Sequence, residues 1–138
     1  PRPMSDTSPT PNAQRPQAGT IAWRDLTVPD AEAVRDFYSR VVGWQAAPVE
    51  VQDYSDFIMM PPGSADPAAG ICHARGVNAD IPAQWLLYIV VDDVDRSAAS
   101  CVELGGALVA GPRPLSGGRF CVIRDPAGAV CALFQPGS

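Results

Sequence analysis

The sequence predicts an α+β fold: two tandem βαβββ modules that form one domain with a cleft between them. Two observations carry this reading. The stretch Trp23-Arg24-Asp25-Leu26-Thr27-Val28-Pro29-Asp30, with a helical segment ending at Gly43, reappears as Leu86-Leu87-Tyr88-Ile89-Val90-Val91-Asp92-Asp93 with a helical segment ending at Gly106. Asp30 to Asp93 and Gly43 to Gly106 share the same offset of 63 residues. Self-similarity at a fixed period sets the architecture before any local detail. The second observation is size, because a unit of about 60 residues buries too little surface to be comfortable alone. The halves must lean on each other, and any chemistry belongs in the space between them.

The elements follow in order. Residues 1–19 carry five prolines among Ser, Thr, Gln and Asn, which predicts a flexible Pro-rich tail. Met4 reads as the natural start, and no hydrophobic run resembles a secretory leader. The domain spans 20–136, with modules at about 20–78 and 79–136. Ile21 to Val28 reads as a strand ended by Pro29, and Asp30 can cap the helix that follows. Val34, Phe37, Tyr38 and Val41 form an apolar stripe at helical spacing, and Gly43 can close that helix in the left-handed conformation. Strands are expected near Gln45–Val51, Phe57–Met60 and Ala69–Ala74, with Pro61-Pro62-Gly63 as a turn. The second module repeats the order. Trp85 to Val91 is a strand, and Asp92 or Asp93 caps a helix carrying Val94, Ala98, Cys101 and Val102. Gly105-Gly106 stops that helix. Strands follow near Ala107–Ala110, Arg119–Ile123 and Val130–Phe134, the last two joined by the turn Asp125-Pro126-Ala127-Gly128.

Composition narrows the function. A chain that is 46% hydrophobic and 18% charged fits one soluble globular domain with a proper core. Net charge is −5, all ten basic residues are arginine, and none cluster, which argues against nucleic acid or an anionic membrane as partner. No apolar stretch approaches the roughly 20 residues needed to cross a bilayer. Cys72, Cys101, Cys121 and Cys131 show no zinc spacing and sit in apolar runs, which suits buried, reduced thiols and a cytoplasmic setting.

Several of these pieces resemble the vicinal oxygen chelate superfamily of glyoxalases, bleomycin-resistance proteins and extradiol dioxygenases. They are Trp23-x-Asp25-Leu26-x-x-Pro29-Asp30, Phe37-Tyr38 with Val42-Gly43-Trp44, Val91-Asp92-Asp93-Val94-Asp95, Leu104-Gly105-Gly106 and Asp125-Pro126-x-Gly128. The resemblance covers residues 20–136. It implies that metal ligands, where members use them, come from the first and last strands of each module. Those places correspond to Trp23, Leu86 and Ala132, with the fourth near Gly70-Ile71-Cys72-His73. Indole, isobutyl and methyl groups cannot bind a metal. The resemblance therefore implies a member without metal or other cofactor. It also implies that paired modules come from one chain or are exchanged across a homodimer.

Strand alternation predicts the lining of the cleft. Trp23, Asp25 and Thr27 should point into it, while Leu26 and Val28 meet the Val34/Phe37/Val41 helix. By the repeat, Leu86, Tyr88 and Val90 line it from the other half. Val130, Ala132 and Phe134 join from the closing strand, and Phe57 and Met59 or their neighbours from the first module. Such an apolar and aromatic lining is typical of a small-molecule pocket. Asp25 could pair with a ligand cation, act as a base if apolar walls raise its pKa, or pair with Arg119 or Arg24 as a structural residue. His73, the lone histidine, is either a ligand, a general base or a half-exposed strand residue. The expected function is metal-independent binding of a small aromatic or cationic molecule. The alternative is lyase or isomerase chemistry using Asp25, Tyr88 or His73 as acid–base residues.

Overall fold

In the computed structural model, residues 15–137 are described. The elements run β1 (Ile21–Val28), α1 (Ala31–Val42), β2 (Gln45–Val51), β3 (Tyr54–Met60), β4 (Ala69–His73), β5 (Trp85–Val90), α2 (Val94–Glu103), β6 (Ala107–Leu115), β7 (Gly118–Arg124) and β8 (Val130–Gln135). This is βαβββ twice over, with a short 3-10 turn at Gly76–Asn78 in the connection.

All eight strands join one sheet in the order β2-β3-β4-β1-β5-β8-β7-β6. Within each module the first strand pairs in parallel with the last, β1 with β4 and β5 with β8. The modules meet where β1 and β5 pair antiparallel, setting Asp25 opposite Leu86 and Trp23 opposite Tyr88.

Local chemistry explains the helix limits. The Asp30 side chain accepts from the amide of Ala33 at 3.1 Å, and Asp93, rather than Asp92, does the same for Arg96 at 3.1 Å. Each satisfies an amide that the first helical turn leaves free. Gly43 takes a φ of 87° and donates to the Ser39 carbonyl. In the last hairpin, the Asp125 carboxylate accepts from Ala127 and Ala129, holding the turn that the Asp-Pro-Ala-Gly order prescribes.

Both helices cover one face of the sheet. Under α1 lie Leu26, Val28, Phe57, Met59 and Ile71, joined by Ala31, Val34 and Tyr38 of the helix and by Trp44 and Trp85. Under α2, Val94 and Ala98 meet Cys121 and Leu133. The apolar stripe of α1 divides, however: Val34 and Tyr38 pack inward, while Phe37 and Val41 are 55% and 63% exposed. A helix lying on a sheet buries a narrower strip than a four-residue stripe, and Ala31 takes the innermost place.

Phe57 and Met59 also lie on this helix side, not in the cleft. In register β3 sets Phe57 against Ile71 and Met59 against Ala69, so its other set of residues, including Asp56 and Ile58, takes the helix-free face. Because residues of both sets are bulky and apolar, alternation alone could not choose the phase.

The helix-free face of the second module is closed by its own cluster. Leu86, Tyr88, Ala110, Phe120, Val122 and Ala132 pack with Ile81, which the inter-module connection brings across. Arg113 fixes that connection by bonding Asp80 and Asn78 while lying over the Phe120 ring. Each module therefore has a bare sheet edge at β1 or β5 until the other arrives. A fragment of residues 20–78 should show no cooperative unfolding transition in urea followed by circular dichroism, whereas residues 15–137 should show one.

Candidate functional site

The site forms on the helix-free face where β1 meets β5. Trp23 and Asp25 reach it from β1, Tyr88 from β5 and Phe134 from β8. A register irregularity between Ile21 and Trp23 leaves Ala22 without a regular partner, so Ala22 and Trp23, consecutive in sequence, both reach the same cavity. A bulge of this kind re-aims side chains and is common beside functional sites. The cavity holds about 280 Å³ and is lined by Ala22, Trp23, Tyr88, Leu115, Ser116 and Phe134.

Behind this wall, the Tyr88 hydroxyl donates to Asp25 Oδ1 at 3.0 Å, joining two residues related by the repeat. Burial lifts the Asp25 carboxyl from 3.8 to about 6; bonds from Tyr88 and from the Trp23 indole pull it partly back, and the nearby charge of Asp56 adds to the rise. Tyr88 is pushed upward in turn, first by burial and then by the Asp25 charge. No arginine neutralises Asp25 among the described residues. Arg24 donates instead to the Ala68 carbonyl, and Arg119 to Asp95.

The other expected site residues separate from this group. Thr27 is buried beside Cys72, whose thiol burial and the Asp25 and Asp56 charges push well above the usual range. Leu86 and Ala132 point to the expected face but are fully buried in the second-module cluster. His73 pairs in register with Val28 of the helix side and is 7% exposed, neither half-exposed nor beside Asp25. Its backbone amide donates to Asp56 Oδ1 at 2.8 Å, and its Nδ1 lies 3.3 Å from the same oxygen. Tyr54 and Phe57 flank the ring. His73 is a packed polar residue of the first-module core, apart from the Asp25–Tyr88 pair.

Asp56, Leu115 and Ser116 were not singled out from sequence, and Cys72 entered only as a buried thiol near the fourth ligand place. The signal for Asp56 lay in the phase of β3, legible only once Gly70 is known to pair with Ile58.

The β1–β4 register also resolves the uncertain fourth position. Ala132 pairs with Tyr88 in the second module, and Gly70 pairs with Asp25, the repeat mate of Tyr88, in the first. Gly70 is thus the counterpart of Ala132, alongside Trp23 and Leu86 at the places the resemblance implies for ligands. A Cβ on Gly70 would stand 3.1 Å from Asp25 Cβ and 3.5 Å from Trp23 Cζ2, so the indole lies over the glycine. Among the described residues, no three His, Cys, Asp or Glu side chains converge as a metal set.

The sequence model of the glyoxalase/bleomycin resistance protein/dioxygenase superfamily matches residues 20–133. The chain belongs to that superfamily. Among its relatives is the CFP32 protein of Mycobacterium tuberculosis, whose name marks it as a candidate glyoxylase; it is 31% identical over 121 residues, covering 87% of this chain and 45% of that protein. The anthracycline biosynthesis protein DnrV of Streptomyces peucetius is 31% identical over 131 residues, covering 86% of this chain and 48% of the relative. The chain thus spans about half the length of these relatives. Among solved structures, methylmalonyl-CoA epimerase from Mycobacterium tuberculosis superposes with a TM-score of 0.55 at 20% identity, covering 88% of this chain and 90% of that one. The Streptomyces coelicolor methylmalonyl-CoA epimerase in complex with 2-nitronate-propionyl-CoA gives 0.53 at 16% identity, covering 88% and 100%. These superpositions establish the glyoxalase-like fold.

The raised Asp25 carboxyl has a consequence for stability. Its folded pKa exceeds the unfolded one, so the native state binds this proton more tightly than the unfolded chain does. The contribution is full below about pH 4 and is lost as pH rises through about 6. Two units correspond to about 2–3 kcal/mol. Asp25→Asn keeps an acceptor for Tyr88 without the charge. It should unfold at higher urea than the parent at pH 7.5, and the difference should shrink toward pH 4.

Proposed function

We propose that this chain is a metal-independent glyoxalase-like protein that binds a small planar aromatic molecule, preferably one carrying a cation. The observation that carries the proposal is the cavity walled by Trp23, Tyr88 and Phe134, with the uncompensated Asp25 carboxyl directly behind Tyr88. Aromatic faces stack on planar rings and attract cations, each contact contributing on the order of 1 kcal/mol. The name of DnrV, a protein of anthracycline biosynthesis, is in keeping with a polycyclic aromatic ligand.

Metal independence is supported by the donor set. An indole, a hydrogen, an isobutyl and a methyl group stand at the four places where metal-using members of the superfamily hold ligands, and none carries a ligating atom. No step of the function is therefore routed through a metal. The four free thiols favour a reducing, cytoplasmic setting. The exposed Phe37, Val41 and Leu87 favour pairing with a second copy of the chain.

One observation favours a second reading, acid–base catalysis by Asp25 as lyase or isomerase. A carboxyl near pKa 6 in a dry cleft is half-charged at that pH and can exchange a proton efficiently. Tyr88 would then be its positioning partner. On this reading turnover vanishes in Asp25→Asn, whereas on the first only affinity changes.

Two outcomes check the binding proposal. Titration with a planar cation such as 9-aminoacridine should quench tryptophan fluorescence, and Trp23→Phe should remove most of that quenching despite Trp44 and Trp85. Asp25→Asn should weaken the cation about tenfold while leaving a neutral ring of the same shape nearly unchanged; equal losses would make Asp25 purely structural. Elemental analysis of purified protein should find far less than one transition metal per chain.

A further inference from the structure

Two independent observations meet at Ser116. The first is its backbone. Ser116 has a φ of 48° and Gly117 a φ of 80°, and together they form the two-residue tip of the β6–β7 hairpin between the paired Leu115 and Gly118. Two successive left-handed residues make a type I′ turn, in which Asn, Asp and Gly are the favoured first residues. Serine is a poor choice for the turn alone. Sparsely populated backbone conformations at non-glycine residues concentrate at ligand sites, where another demand overrides local preference.

The second observation is position. Ser116 lines the same cavity as Trp23, Tyr88 and Phe134. The other lining residues, Ala22 and Leu115, are apolar. The Tyr88 hydroxyl is engaged by Asp25, and the Trp23 indole lies close enough to lower that carboxyl's pKa. Ser116 is exposed where it lines the cavity, and its hydroxyl, without a hydrogen-bond partner among the described residues, can exchange water for a ligand oxygen. A hydroxyl both donates and accepts, and therefore serves a ring carbonyl or a phenolic oxygen equally well.

From these two observations we infer that Ser116 is a specificity-determining contact that selects planar aromatics bearing an oxygen at the ring edge facing the hairpin tip. The inference rests on the aromatic-cavity reading above and deepens it. The flat faces of the ligand meet Trp23, Tyr88 and Phe134. Its charged substituent is drawn toward Asp25, and its oxygenated edge is drawn to Ser116. The preferred class is hydroxylated or quinonoid aromatic amines rather than bare aromatic cations.

The test compares two probes by tryptophan fluorescence: an aminoalkyl-substituted 1,4-dihydroxyanthraquinone, and 9-aminoacridine, which has no ring oxygen. Ser116→Gly should weaken the anthraquinone about five- to tenfold, as expected for one lost hydrogen bond. It should change acridine binding less than twofold and raise the thermal midpoint by about 2–4 °C, because the turn is relieved. Ser116→Asn suits the turn and keeps a donor and an acceptor, so it should restore most of the lost discrimination. Equal losses for both probes, or no loss for the anthraquinone, would overturn the role of Ser116 while leaving the cavity reading intact. A wild-type protein that binds neither probe would overturn both.

Discussion

Everything in this molecule depends on the antiparallel pairing of β1 with β5. These are the central strands of the sheet, and their ladder is what joins the strands of the two modules. It sets Trp23 opposite Tyr88 and brings Tyr88 within 3.0 Å of Asp25. Because side chains alternate, a slip by one residue would send Trp23 and Asp25 to the helix side and bring Arg24 into the dry cleft. Burial of apolar side chains on both faces therefore enforces the register that assembles the site. The irregularity at Ala22 is the one place where the ladder departs from regular pairing, and it lies at the cavity.

The same seam carries the main electrostatic tension. Asp25 stands where two modules exclude water, held by a tyrosine and an indole rather than by an arginine. Neutral donors offset part of the desolvation of a carboxylate but not all of it, which is why its pKa stays high. Cys72 and Asp56 lie close enough to feel the same charge. None of the ten arginines of the chain reaches this carboxylate among the described residues, and the proposed ligand-directed role rests on that isolation.

Most of the fold was legible because its signals are local and doubled. Asp30, Gly43, Asp93 and the Asp125 turn are punctuated by backbone chemistry, and the repeat supported the helix limits of one module against those of the other. The phase of β3 was not legible, since Phe57 and Met59 are no more apolar than strand neighbours such as Ile58 and Met60. The length of β6 was hidden by Pro112 and Pro114, which the chain tolerates because β6 is an edge strand. His73 was misplaced for the same reason as Phe57, its face being set by pairing with Val28 rather than by its own chemistry. In the site, Trp23, Asp25, Tyr88 and Phe134 followed from the repeat. Ser116 did not, because a hairpin tip reaches the cavity only through the curvature and pairing of three strands.

Gly70 shows how the aromatic wall and the missing ligand set are linked. In metal-using relatives of the superfamily, the resemblance implies a ligating side chain at this place and another at Trp23. Here the indole lies across Gly70, and even a Cβ would press on Asp25. A carboxylate at position 70 would therefore have to displace the indole, and removing the indole would open the wall beside Asp25. A larger side chain at position 70 and the indole in its present place compete for the same space. In this chain the small residue at position 70 makes room for the large one at position 23. The aromatic surface at the seam thus depends on the glycine beneath it.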